Sequence, residues 1–254
     1  MTSTHIRIII LVALFTLISS ARLEAFNLDA FNPDAFNIGD FTDWQFPIPP
    51  TATAVGSDAA TKLLPKLVGS NDQVAQNLGF NAAAEVTAIP SNIHVGSPYP
   101  VFRISIEHLK NFNWKEQNPI SLLLLEKTNF LRWSKLVPAQ FLFPITSGND
   151  IKSSVLVGMS TTDHGWRMLE LGSWEMIKQL TQFGTPPQYF VVEVQALDRI
   201  YLGTIVGKHF TIKHVVKERV HDIEVPEGVS EPALEVFKRL QLEAAQVYAN
   251  QVPR

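Results

Sequence analysis

Alternation of apolar and polar positions is clearest over residues 140–172, where it predicts three antiparallel strands joined by two short polar turns. Phe141, Phe143 and Ile145 share one face of the first strand, and Pro144 within it predicts an edge or a bulged strand. In the second, Ile151, Val155, Val157 and Met159, with Ser153, share a face, while Lys152, Ser154 and Gly158 take the other. The turn before the third strand holds Thr162, Asp163, His164 and Gly165, with Gly165 expected in the left-handed region.

The same reading extends to the flanks. Ser57 and Asp58 are placed to cap a helix through Leu63, Leu64, Leu67 and Val68, kinked or divided into two short pieces at Pro65 and closed by Gly69. Residues 71–78 form a further helical turn ended by Gly79. Residues 81–89 and 101–106 read as strands, separated by a loop marked by Pro90, Gly96, Pro98 and Pro100. A helical turn at 107–112 follows, and the apolar run 120–125 fits either a buried strand or a helix. Ser173 is expected to cap a helix to Phe183 with Trp174, Ile177 and Leu180 on its apolar stripe, stopped by Gly184 and Pro186. Three more strands, 189–196, 200–206 and 209–217, lead to a long helix capped by Ser230, with Pro232 in its first turn. Its stripe is Ala233, Phe237, Leu240, Ala244 and Val247. This element order predicts an α+β fold, a mostly antiparallel sheet with helices packed on one side, over residues 57–254 as a single domain.

The first 25 residues stand apart. His5 and Arg7 precede an eleven-residue apolar run, 8–18, followed by Ser19, Ser20 and Ala21, the layout of a secretory signal cleaved after Ala21 or Ala25. The run falls short of the roughly 17–25 residues that span a bilayer, which favours cleavage over a retained anchor. The chain has no cysteine, so disulfides, thiolate metal sites and a cysteine nucleophile are excluded, and stability rests on the core. At 254 residues and 46% hydrophobic content that core is ample. The net charge of −3 argues against capture of nucleic acid and leaves membrane contact at most peripheral.

Residues 26–56 read as a solvated leader: a repeat of alanine, phenylalanine and asparagine, then a proline-rich spacer. Three copies are too few to stack as a solenoid. The repeat instead places Phe26, Phe31, Phe36, Phe41 and Trp44 as aromatic anchors for a partner, since such side chains dominate recognition energetics.

Elsewhere the candidate chemistry is sparse. The histidines lack metal-binding spacing; His209 and His214, five apart on a strand, point to opposite faces. Asp163 and His164 are candidates for half of an acid–base pair in a hydrolase, with Ser153, Ser154 or Ser160 as nucleophile, yet no strand-to-helix elbow surrounds any of them. Residues 208–221 carry four Lys or Arg against one Glu, and Lys213 and Lys217 share a strand face that suits either an anionic surface or a solvated edge. No cofactor motif is present. The leading expectation is an exported, non-catalytic module that binds another exported or envelope protein; a secreted hydrolase and an anionic-surface binder are the alternatives.

Overall fold

The computed structural model describes residues 46–87, 92–125, 137–160, 162–207, 209–215 and 229–251. Its centre is a nine-stranded sheet: β1 (Ile93–Val95), β2 (Tyr99–Arg103), β3 (Gln140–Ser147), β4 (Asp150–Met159), β5 (Trp166–Gly172), β6 (Phe190–Val194), β7 (Arg199–Val206), β8 (His209–Val215) and β9 (Ser230–Pro232). The order across it is β5-β4-β3-β2-β6-β7-β8-β9, with β1 also on β3. Only β2 and β6 pair in parallel among the described strands, so the fold is α+β with a mostly antiparallel sheet.

Strand alternation sorts the core onto two faces. Pro100 opposes Phe141 and Val192 opposes Phe102, which puts Phe141, Phe143, Phe102, Phe190 and Val192 on one face. Under the β3–β4 half lie α1 (Pro50–Asp58), α2 (Leu64–Val68), α3 (Asp72–Asn77) and α4 (Ala83–Thr87), packed on Phe141, Phe143, Val155 and Val157. Under the β6–β8 half lie α5 (Ile106–Asn111), α6 (Pro119–Leu125) and the long α8 (Ala233–Gln251), packed on Phe102, Phe190, Phe210 and Ile212. The opposite face holds Tyr99, Val101, Leu142, Leu156, Val191 and Leu202, and it is covered by α7 (Trp174–Phe183) through Met176, Ile177 and Leu180. Helices therefore occupy both sides of the sheet, not one.

Several local expectations change, each for a physical reason. The first helix starts at Pro50 inside the proline-rich spacer, with proline at the first helical position where the missing N–H costs nothing. Phe46, ahead of it, is already buried, so the folded region begins well before Ser57. At Pro65 the run is in separate pieces, as expected: a π-turn (Ala59–Leu63) widens the backbone just before it, and α2 follows with Pro65 in its first turn. Residues 83–87 are helix rather than strand: Ala83, Ala84 and Glu85 are good helix formers, and Glu85 Oε2 accepts the Asn81 N–H at 2.8 Å. The run 120–125 resolves as the helix α6. Ser230 and Pro232 form the short strand β9 on the edge of β8, and the helix begins only at Ala233; of the predicted stripe, Ala233, Phe237, Leu240 and Ala244 are buried, and the Val247 side chain is not among those described.

Pro144 does not lie at an edge. β3 is interior, with β4 on one side and β1 followed by β2 on the other. The Pro144 carbonyl accepts the Gly96 N–H at 2.8 Å in the gap between β1 and β2, so the proline's missing donor falls where the partner strand is itself interrupted. A bulge adjoins it: Ile145 opposes Ser153 while Thr146 opposes Ile151, leaving Lys152 unpaired. That extra residue reverses the alternation, sending Ile151 to the α7 face and Lys152 to α4, where its ammonium meets Glu85 at 3.1 Å.

Gln241 fastens α8 to α5. Its Oε1 accepts the Trp114 indole N–H at 2.6 Å, and its Nε2 donates to the carbonyls of Leu109, Lys110 and Phe112 at 2.9, 2.9 and 3.1 Å. These include carbonyls at the end of α5 that the helix itself leaves without donors. Gln241→Ala is expected to lower the free energy of unfolding by about 2 kcal/mol, read as a lower urea midpoint at unchanged m-value.

Candidate functional site

α7 crosses the face opposite the other helices, reaching from β4 to β8. It is entered through two left-handed residues, Gly172 (φ 127°) and Ser173 (φ 59°). Ser173 is therefore not the side-chain cap expected from sequence; its hydroxyl instead donates to Glu170 Oε1 at 3.0 Å. Ser154 in β4 secures the same entry by donating to the Gly172 carbonyl. The far end is held as firmly. Lys213 Nζ donates to the Phe183 carbonyl at 3.1 Å, where the helix dipole favours a cation, and the Tyr99 hydroxyl donates to the Gly184 carbonyl at 2.7 Å. Burial pushes the Tyr99 phenol pKa up, so it stays a donor.

A groove opens beside the N-terminal half of this anchored helix. Its floor is apolar and largely covered: Val101, Leu142, Leu156, Val191 and Ile200, one residue from each of five strands, are buried and leave a cavity of about 40 Å³. Met176 of α7 forms a wall. The polar positions are Ser154, Ser173, Glu170 and Glu193. Glu193 Oε2 accepts from Arg103 Nε at 2.9 Å, an ion pair with side chains 29% and 19% exposed. Both serine hydroxyl protons are already donated within the protein, to a carbonyl and to a carboxylate. The lining side chains include no Lys, Arg or His, so what they offer a visitor is apolar surface and hydrogen-bond acceptors.

The neighbouring sheet edge is less inviting. β5 is an edge strand, but Leu169 is bulged out between Glu170 and Met168, and Arg167 and Glu170 are exposed along it. Bulges and charges of this kind discourage strand addition.

The residues singled out from sequence lie elsewhere. Phe26, Phe31, Phe36, Phe41, Trp44 and Lys217 fall outside the described residues, as do residues 1–25. Lys213 is half-buried, and its ammonium, 5.9 Å from the Phe183 ring centroid, serves as a clamp on α7. Of the tryptophans, Trp114 packs on the α8 side and Trp166 on the α1 side, in separate clusters. Asp163 and His164 occupy the β4–β5 turn, where His164, not Gly165, is left-handed (φ 54°). Ser153 and Ser154 are buried in β4, five or more residues from that turn, a separation of roughly 17 Å along a strand. The groove residues Glu170 and Glu193 went unnoticed in sequence; their signal is a carboxylate inside an otherwise apolar strand, as in residues 190–194.

The Ser160 hydroxyl, the Arg167 guanidinium and the Gly165 N–H hold the Asp163 carboxyl down at about 2, below its ordinary 3.8. Because the folded-state pKa is depressed, the turn's stabilisation by Asp163 is complete above 3.8 and is lost as pH falls towards 2. A side-chain carbon chemical-shift titration is expected to place the Asp163 midpoint near 2, and Arg167→Gln to raise it.

Among the described residues no group of three or more His, Asp or Glu is placed to hold a metal ion, and no helix is long and apolar enough to cross a membrane. Comparison of the chain with known proteins finds no matching family model, no matching curated protein and no matching solved structure.

Proposed function

We propose that this chain is an exported, non-catalytic protein-binding module of the cell envelope or extracellular space, and that the groove beside α7 is its docking surface. The observation that carries this reading is the groove's build: an apolar floor drawn from five strands, a polar rim, and a helix wall pinned at both ends before any ligand arrives. An apolar centre within a polar rim is the anatomy of recognition sites, and a preformed wall lowers the ordering cost of binding. Met176 adds an adaptable side chain to that surface. The aromatic repeat of residues 26–44 supplies a second contact arm, and residues 1–25 the export signal.

Photo-crosslinking from the native envelope tests the reading. Benzoylphenylalanine in place of Glu170, at the rim, is expected to capture a discrete partner band, whereas the same group in place of Leu242, 68% exposed on α8, is not. Equal capture at both positions, or none at 170, would sink it. N-terminal sequencing of the mature protein is expected to begin at Arg22 or Phe26, and a chain still beginning at Met1 would overturn export by cleavage.

A further inference from the structure

We infer that β5 is an interface through which the chain pairs with a second copy of itself, edge to edge and antiparallel, about a two-fold axis at Met168. The inference goes beyond the docking reading and does not rest on it. β5 ends the sheet, with β4 on its inner side and no described strand on its outer side. The opposite end of the sheet is the three-residue β9, which contains Pro232, so the seven-residue β5 is the longer of the two outer strands. A bulge and charges turn away a strand of arbitrary sequence. In β5 their placement matches one partner.

The bulge creates that match. Leu156 opposes Glu170 and Val157 opposes Met168, so Leu169 is the extra residue. Trp166, Met168 and Leu171 face the layer of α1 to α4, half-buried at the margin of its core. Arg167, opposite Gly158, and Glu170, opposite Leu156, both face the α7 side and are exposed. In an unbulged strand two residues three apart would point to opposite faces. With Leu169 and Glu170 sharing one step of the ladder, a two-fold at Met168 sets Arg167 against Glu170 of the second copy, and Glu170 against its Arg167. It sets Trp166 against Leu171 twice in the same way, and Met168 against its own copy. Every opposed pair then shares a face, with opposite charges on one side of the sheet and apolar side chains on the other, the pairings that stabilise neighbouring strands. Arg167 reaches Asp163 through Nη2 and Glu170 accepts from Ser173 at Oε1, which leaves Nη1 and Oε2 for the second copy. A contact of this isologous kind closes at two chains and covers both outer strands.

Sedimentation equilibrium of the purified mature protein tests this. The parent is expected to be dimeric at on the order of 100 μM and to dissociate on dilution, since two paired edge strands form an interface at the small end of the range. Arg167→Glu and Glu170→Arg each set like charges opposite one another at two symmetry-related places. Each is expected to weaken association by about tenfold or more, with the circular dichroism spectrum unchanged because both side chains are exposed. The double reversal, Arg167→Glu with Glu170→Arg, restores opposite charges at every place and is expected to recover the parent association. A parent that is monomeric at that concentration overturns the inference, as does association unchanged by both single reversals. Association lost in the single reversals and not recovered in the double reversal overturns it too, because the charges would then not face each other. In the crosslinking experiment above, a band at twice the mass of the chain reports the second copy and a band at any other mass reports the envelope partner, so the two readings fail separately.

Discussion

Phe102→Ala is expected to destabilise the protein by about 3–5 kcal/mol, the range for truncating a buried phenylalanine whose surroundings cannot collapse onto the space. Phe102 is fully buried at the centre of the sheet, where β2 meets β6. Its ring lies 5.2 Å from Phe46 and 5.3 Å from Phe190, the latter edge-on at 86°. From Phe190 the contacts continue to Phe210 at 5.7 Å and on to Phe237 of α8 at 5.8 Å. One line of rings thus joins the residue ahead of α1, the two parallel strands, the β8 edge and the last helix. A vacancy at Phe102 removes the ring packed against both Phe46 and Phe190, which still touch each other at 6.3 Å, and rigid strands on either flank prevent closure. Thermal unfolding should fall by roughly 10 °C in a domain of this size. Phe46→Ala should cost less, since Phe46 lies at the margin of the cluster at 9% exposed. The two should couple by about 1 kcal/mol in a double-mutant cycle, because each ring is part of the other's packing. A loss below about 1 kcal/mol for Phe102→Ala would mean that this row of rings does not form.

The parts of this fold that were legible in sequence are those in which one local period decides the outcome. β3 to β5, β6 to β8, the stripe of α7 and the stripe of α8 all follow from spacings of two or of three and four. What was misread is non-local. Of the two readings of Pro144, edge or bulge, the bulge is present, and the edge fails because β1 and β2 meet at a gap beside it that nothing within β3 reveals. Ile151 keeps phase with Val155 on paper, but the bulge at Lys152 removes one residue from the count, and the bulge is set by the contact of Lys152 with α4. Residues 81–89 carry a valine, a threonine and an isoleucine near alanines, and the choice of helix is settled by Glu85 reaching back to Asn81. The groove was the least accessible feature, because its floor takes single residues from Val101 to Ile200 that no spacing connects. Its two carboxylates become informative only once they are known to share a rim.

The second large effect is expected at Gly79, with Gly69 as its built-in comparison. Both glycines follow short helices and have positive φ, 94° and 52°. A Cβ at Gly69 would meet nothing within 4 Å, so Gly69→Ala should cost only the backbone strain of φ 52°, ψ −122°, about 1–3 kcal/mol. At Gly79 the same atom would stand 1.9 Å from the Lys152 carbonyl oxygen and 2.6 Å from the Trp174 Cβ. The oxygen belongs to the backbone of the β4 bulge, and the Cβ to the first residue of α7, so no side-chain rotation relieves either clash. Gly79→Ala should therefore cost about 3 kcal/mol or more, beyond Gly69→Ala. It should also do something a simple loss of stability does not. To admit the methyl group, the bulge at Lys152 or the start of α7 must shift, and both border the elements that carry Ser154, Glu170 and Ser173 at the groove rim. At a temperature where Gly79→Ala is still folded, its photo-crosslinking from position 170 is expected to fall severalfold, while Gly69→Ala keeps the parent binding. Equal destabilisation by the two substitutions would show that the close approach of α3, β4 and α7 at Gly79 is absent. Destabilisation without loss of binding would show that the groove does not depend on where α7 begins.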